Sequence, residues 1–358
     1  MNLPPSRVPK LNLYSTIFNW LHARKFSTNI GTPAFLLLDW AMTFVNNLKF
    51  RYSKPEKYLN DLVDYYKSLD QGQKVAIVTG SNTGIGYVTA KYLYKAGYYV
   101  ILACRNEEKA QEAINNIQQE NSQGQIKFIK LDLNSLECVV EFVKNFKALN
   151  LKLDLLINNA AIMMTPYQLT KDNIESQIGV NFVSHLLLTN DLIPLLNENA
   201  KIINLSSTAS FNFNEIDMNQ ITNAEAYNPS LNYSQSKLAM LVFSYYLKDR
   251  LQSDNIKVYA VNPGIVATDL WKNTPFTALT NALSYTVFKN FEAGAFTSLR
   301  CALLNLEDSD DNKNKSIYYS EENKYAPHCA VFDNDKVEEL MRWAIDMIKS
   351  RGFEVRNL

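Results

Sequence analysis

Residues 74–86 read KVAIVTGSNTGIG: a short apolar run, Val75 to Thr79, enters the glycine-rich turn Gly80-Ser81-Asn82-Thr83-Gly84-Ile85-Gly86, which opens a helical pattern. Glycines in such a turn let backbone N–H groups and a helix N-terminus come close to an anion. Alone, G-x-x-x-G-x-G describes many ordinary βα turns. With a strand before it and a helix after it, the same spacing is a dinucleotide pyrophosphate site, which places Gly80, Ser81, Asn82, Gly84, Ile85 and Gly86 at the phosphates.

From Lys74 onward, short and nearly continuous apolar runs alternate with helical spacing. The runs are Val75 to Thr79, Tyr99 to Ala103, Ile126 to Leu131, Leu153 to Asn158, Lys201 to Leu205 and Lys257 to Val261, with a seventh at Ser316 to Ser320. The helical stretches are Ile85 to Lys95, Asn106 to Glu120, Ser135 to Leu149, Lys171 to Leu196 and Tyr233 to Gln252. This rhythm predicts an α/β fold, a Rossmann-type doubly wound parallel sheet of about seven strands with helices on both faces. Its ligand crevice lies at the carboxyl ends of the strands. Residues 72–358 form this domain and residues 1–71 an N-terminal extension.

Where NAD-selective folds often place a carboxylate on the ribose, the second run is followed by Arg105. A guanidinium suits a 2′-phosphate, so NADP(H) is favoured over NAD. Asp132, past the third run, is placed to meet adenine, although a turn residue there would also be Asp.

Tyr-x-x-x-Lys occurs four times, at Tyr87, Tyr167, Tyr233 and Tyr285, so spacing alone identifies nothing. Only Tyr233 lies between a run ending in Ser206-Ser207 and one leading to Val261-Asn-Pro-Gly264. Lys237 shares its helix face and supplies a cation that favours phenolate, while Ser207 can stabilise a developing alkoxide.

These residues resemble the short-chain dehydrogenases/reductases, from about Gln73 to Thr268. The resemblance rests on TGSNTGIG (79–86), LDL (131–133), NNAA (158–161), Asn181, Ser206-Ser207, YSQSK (233–237) and PGIVAT (263–268). LACRN (102–106), GVNFVSHLLLTN (179–190) and the long interval from Ser207 to Tyr233 are most similar to the branch of retinol dehydrogenases, the WW-domain oxidoreductase and polyprenol-type dehydrogenases. The resemblance implies hydride transfer between an alcohol or carbonyl carbon and a nicotinamide cofactor. It implies catalytic roles for Ser207, Tyr233, Lys237 and Asn181, the last holding a water that links Lys237 to solvent. It further implies cofactor contacts from Asp132, Leu133, Asn159, Ala160, Tyr233, Lys237, Val266 and Thr268. The family usually has Asn-Asn-Ala-Gly, and Ala161 replaces that glycine; a small effect on cofactor affinity is expected if the backbone there is not at positive φ. His185 reads as a locally satisfied helix histidine.

Lys+Arg and Asp+Glu both number 36, which gives no basic excess for nucleic acid. The three histidines and four scattered cysteines form no metal-ligand pattern, so no metal is expected. The apolar stretches between Trp271 and Leu304 suit a pocket for a small lipophilic substrate: a retinoid, polyprenoid, steroid or acyl-type alcohol or carbonyl compound. Pro33 to Val45, flanked by Arg24, Lys25, Lys49 and Arg51, is strongly apolar but too short to span a bilayer. It reads either as a helix packed on the domain or as an interfacial anchor to the endoplasmic reticulum or a lipid droplet, with the catalytic domain facing the cytosol; without the anchor the protein would be cytoplasmic. Related enzymes form homodimers through the helices after Lys171 and Tyr233, and a homodimer is open here. A different class, a catalytically silent nucleotide-binding sensor or scaffold, is favoured only by Ala161 and opposed by the complete Asn181, Ser207, Tyr233, Lys237 set.

Overall fold

The computed structural model describes residues 55–120, 124–266, 288–306, 316–320, 323–324 and 328–358. Pro33 to Val45, Thr268, Tyr285 and the apolar stretch 271–287 therefore lie outside the described residues.

Eight strands form one sheet in the order β3-β2-β1-β4-β5-β6-β7-β8. They are β1 (Val75–Thr79), β2 (Tyr99–Cys104), β3 (Gln125–Lys130), β4 (Leu153–Asn158), β5 (Leu196–Leu205), β6 (Lys257–Asn262), β7 (Tyr318–Ser320) and β8 (Asn323–Lys324). The first seven run parallel, and the two-residue β8 pairs antiparallel on the outer edge. The order reverses between β1 and β4, which puts the crevice above their carboxyl ends. β1 is buried along its whole length because helices cover both faces, whereas β3 at the edge carries exposed Lys127 and Lys130.

The longer helices among the described residues are, in chain order, α1 (Pro55–Lys67), α2 (Gly84–Lys95), α3 (Glu107–Gln118), α4 (Leu136–Lys147), α5 (Ser176–Leu195), α6 (Pro229–Arg250), α7 (Phe291–Leu303) and α8 (Asn334–Lys349). One face of the sheet packs against α4, α5, α6 and α8, the other against α1, α2, α3 and α7. α5 is long and apolar enough to cross a membrane, yet most of it is buried inside the domain, as expected for a core helix.

The predicted elements shift at a few ends for local reasons. α5 starts at Ser176 rather than Lys171, because Thr170 to Ile174 close a turn with Asn173 at φ 55°. Leu196 belongs to β5, not to the helix. α6 begins a turn before Tyr233, where Asn228 caps it and Pro229 stands at its first turn.

α1 lies within the stretch read as an extension, and it buries Leu59, Leu62, Val63 and Tyr66 against the core shared with α2 and α7. The half-buried Lys201 side chain ends α7, donating from Nζ to the carbonyls of Cys301 (3.2 Å), Ala302 (2.8 Å) and Leu304 (2.8 Å). The C-terminal segment wraps the other face. His328 Nε2 bonds the Phe213 carbonyl (2.9 Å), the Cys329 thiol donates to the Asn214 carbonyl (3.0 Å), and α8 buries Leu340, Met341, Ala344 and Ile348. Beyond it, the backbone N–H of Asn357 reaches Asn190 Oδ1 on α5 (2.9 Å). Residues 232–247 of α6 are buried without a break beneath this cover.

Candidate active site

At the carboxyl end of β1, Gly80 and Gly84 adopt φ of 64° and 60°, which glycine takes without strain. At Gly86 the reason is space: a Cβ would run into the Gly80 carbonyl and the Asn159 amide. The N-termini of α3, α4, α6 and α7 are capped by Asn106, Ser135, Asn228 and Asn290, but Thr83 gives α2 no side-chain cap. Its first N–H groups thus keep their capacity for an anion, and Gly80, Gly84 and Gly86 present backbone without a Cβ. A pyrophosphate fits this cradle.

The neighbours of the turn have distinct positions. Ser81 is fully buried and donates its hydroxyl to the Val78 carbonyl (2.7 Å), so only its backbone can meet a ligand. Ile85 packs beneath the turn, where Gly294 of α7 and Val266 also meet. Arg105 is exposed just past β2, and its guanidinium makes no hydrogen bond or ion pair with any described residue. Asp132 Oδ1 accepts from Asn134 N (3.1 Å), which is the turn role its residue type allows, and Leu133 is buried. The Thr79 hydroxyl accepts from the backbone N–H groups of Asn159 and Ala160, both at 2.9 Å. Asn159 Nδ2 returns to the Thr79 carbonyl (2.8 Å). Ala161 is not at positive φ, so its methyl imposes no left-handed strain.

The two adjacent serines separate by direction. Ser206 is buried and donates to the Lys237 carbonyl (3.0 Å). Ser207 is half-buried and faces the Tyr233 phenol, while its hydroxyl accepts from Ala209 N (3.2 Å). Of the other tyrosines in the Tyr-x-x-x-Lys pattern, Tyr167 is exposed and rests on Tyr227, and Tyr87 lies on α2. Burial pushes the Tyr233 phenol up to about 12 while Ser207 opposes it, and burial brings Lys237 down to about 8. Lys237 Nζ donates to the Leu205 carbonyl (3.0 Å). The sequence argument expects the ammonium to lower the phenol; in the protein alone desolvation prevails and Tyr233 stays protonated. That state is a proton donor.

Asn181 sits where α5 widens into a π turn, Gly179–Val183. Its side chain accepts from Ile162 N (2.8 Å) and donates to the Ile162 carbonyl and to Ser236 Oγ, both at 2.9 Å. The amide is therefore engaged in tying the loop after β4 to α6. Sequence reasoning missed three companions. Gln177 Oε1 accepts from Met164 N (2.8 Å), its Nε2 reaches the Tyr227 hydroxyl and the Pro229 carbonyl (both 3.0 Å), and Tyr227 donates to the Thr165 carbonyl (2.6 Å). They hold Met164 at φ 52°, a conformation that costs a methionine about 1–2 kcal/mol. No local pattern marks Gln177 or Tyr227, since their partners are distant in sequence. Thr79, by contrast, stands in the glycine motif itself and could have been singled out.

Residues 74–277 match the family described as short chain dehydrogenase. The chain is 37% identical to human polyprenol dehydrogenase over 241 residues, 64% of this chain and 72% of that protein. It is 40% identical to human retinol dehydrogenase 11 over 232 residues, 64% of this chain and 73% of that protein. A crystal structure of a putative uncharacterized protein from Mycobacterium Paratuberculosis superposes with a TM-score of 0.59 at 28% identity, covering 79% of this chain and 95% of that one.

Proposed function

The chain belongs to the short-chain dehydrogenase/reductase family, an oxidoreductase acting on alcohol and carbonyl groups with a nicotinamide cofactor, and on that premise we propose that it uses NADP(H) on a lipophilic substrate. The observation that carries the reading is the buried Tyr233 phenol facing half-buried Ser207, at the strand ends that bear the Gly80–Gly86 cradle. The bound cofactor supplies or accepts the hydride. Ser207 holds the substrate oxygen, and Tyr233 gives it a proton as the carbonyl is reduced or takes the proton back in oxidation. Lys237 provides positive charge beside this exchange, and Asn181 fixes the loop at Ile162 that borders it.

Arg105 supports the preference for NADP(H), because an unpaired exposed guanidinium after β2 is free to meet a 2′-phosphate. The names of the relatives, polyprenol and retinol dehydrogenases, favour a long apolar alcohol or its carbonyl partner. The apolar run Pro33 to Val45, with basic residues on both sides, supports attachment to a membrane or lipid-droplet surface through the stretch before Pro55. The decisive experiment is a turnover screen of purified protein with NADPH against NADH, over retinoids, polyprenoids, steroids and acyl ketones. Turnover of the retinoids or polyprenoids with NADPH is expected; no oxidation of either cofactor with any of them would overturn the proposal.

A further inference from the structure

His185 on α5 is fully buried, and the chemistry proposed above gives it nothing to do. Its Nδ1 lies 3.2 Å from the carbonyl oxygen of Asn181, at the π turn, and its Nε2 lies 3.1 Å from the Thr79 hydroxyl. A carbonyl can only accept, so the ring proton belongs on Nδ1, and Nε2 must then accept from Thr79. That assignment completes Thr79 as well: its one proton goes to the imidazole at 3.1 Å rather than to the farther Ile157 carbonyl at 3.4 Å, and its lone pairs receive Asn159 N and Ala160 N. Burial drives the ring pKa down to about 3, so the neutral tautomer this network requires persists at every physiological pH.

We infer that His185 is a positioning residue that couples the dinucleotide cradle, through Thr79, to the substrate side of the site, through Asn181. The connection is continuous. Thr79 heads the glycine turn and gathers the peptide of Asn159 and Ala160; Asn181 anchors Ile162 and Ser236, the neighbour of Lys237. A change in how the turn closes on a ligand therefore reaches the residues around the phenol through one imidazole. The inference rests on the reading of Gly80–Gly86 as a nicotinamide dinucleotide site.

The test is a double-mutant cycle in the full chain with Thr79→Val and His185→Phe, reading the Kd for NADPH and the kcat and KM for a carbonyl substrate. His185→Phe is expected to weaken NADPH roughly 3- to 10-fold, the range for one buried neutral hydrogen bond, and Thr79→Val, which also leaves Asn159 N and Ala160 N without their acceptor, at least as much. The double variant should be no weaker than the poorer single one, because both cut the same connection. His185→Phe should also lower kcat while leaving the substrate KM in place, and His185→Gln, which keeps a donor and an acceptor, should return both values to within about twofold. Additive effects in the cycle, or an unchanged Kd in His185→Phe, would overturn the inference. If His185→Phe does not fold, His185→Leu takes its place in the same cycle with the same outcomes: non-additive loss supports the link, and additive loss or an unchanged Kd removes it. A wild-type protein that binds neither NADPH nor NADH would instead refute the cradle reading.

Discussion

Ser207 faces the Tyr233 phenol and opposes the rise that burial gives it, so the start of α6 meets the end of β5, with the phenol buried and the serine half-buried. Tyr233→Phe removes only the transferable proton. Turnover should fall by at least about 100-fold, the scale of a general acid, while the Kd for NADPH changes little. Equal loss in Tyr167→Phe would relocate the site.

Protonation should favour carbonyl reduction near neutrality. With the phenol pushed up to about 12, Tyr233 is a donor at pH 7, and Lys237 keeps its charge only below about 8. Reduction should hold steady to about pH 8 and then decline, whereas alcohol oxidation, which needs a proton acceptor, should gain as pH rises. Initial rates in both directions from pH 6 to 10 check this; parallel profiles would contradict it.

Arg105→Asp should reverse the cofactor preference. One charge-assisted contact corresponds to about 1.5–3 kcal/mol, or roughly 10- to 150-fold in the Kd for NADPH, and a carboxylate can accept from the 2′-OH of NADH instead. Titrations that move by less than a factor of three would assign the ribose to another residue.

His185 should make the fold acid-sensitive. An unfolded histidine titrates near 6.5, whereas this one stays neutral down to about 3. The unfolded chain takes up the proton first, so stability present above pH 6.5 is lost as pH falls toward 3, by roughly 5 kcal/mol at the bottom of that window. Denaturant midpoints between pH 7 and 4 should fall less steeply in His185→Gln than in the wild type; identical slopes would count against it.

Removal of residues 1–54 should leave a folded, NADPH-binding protein that no longer co-sediments with membranes or droplets. A cut near Ser68 also removes α1 and uncovers the surface beneath Leu59, Leu62, Val63 and Tyr66, each contributing about 1.5–3 kcal/mol of burial. That shorter protein should aggregate. A soluble cut at Ser68, or a full chain that never associates with membranes, would contradict this division.

Local patterns carried the glycine turn, the strands and the Ser207–Tyr233 pair, because each is written in a few adjacent residues with a strand or helix beside them. The same logic could have found α1, whose Leu59, Leu62, Val63 and Tyr66 repeat at helical spacing, had the weaker rhythm before Lys74 been read as packing. His185 could not be read this way: its partner Thr79 is 106 positions away, and only the fold brings them together. Burial likewise reversed the expected shift of Tyr233, since desolvation depends on neighbours from several elements that no motif encodes. The late start of α5 came from a turn closed by Thr170 and Asn173, residues that a wide apolar window smooths over.

The wrapping of the other face by residues 328–358 has a consequence for synthesis. On the ribosome, the Ser207 loop emerges well before His328 and Cys329, which fasten its backbone at Phe213 and Asn214, and before Asn357, which fastens α5 at Asn190. The first strands can pair during elongation, but the side of α6 that α8 covers stays open until residues 334–349 have been made. A nascent chain stalled before residue 328 is thus an apolar surface awaiting its own cover, and the window for chaperone capture closes only when residues 328–358 dock.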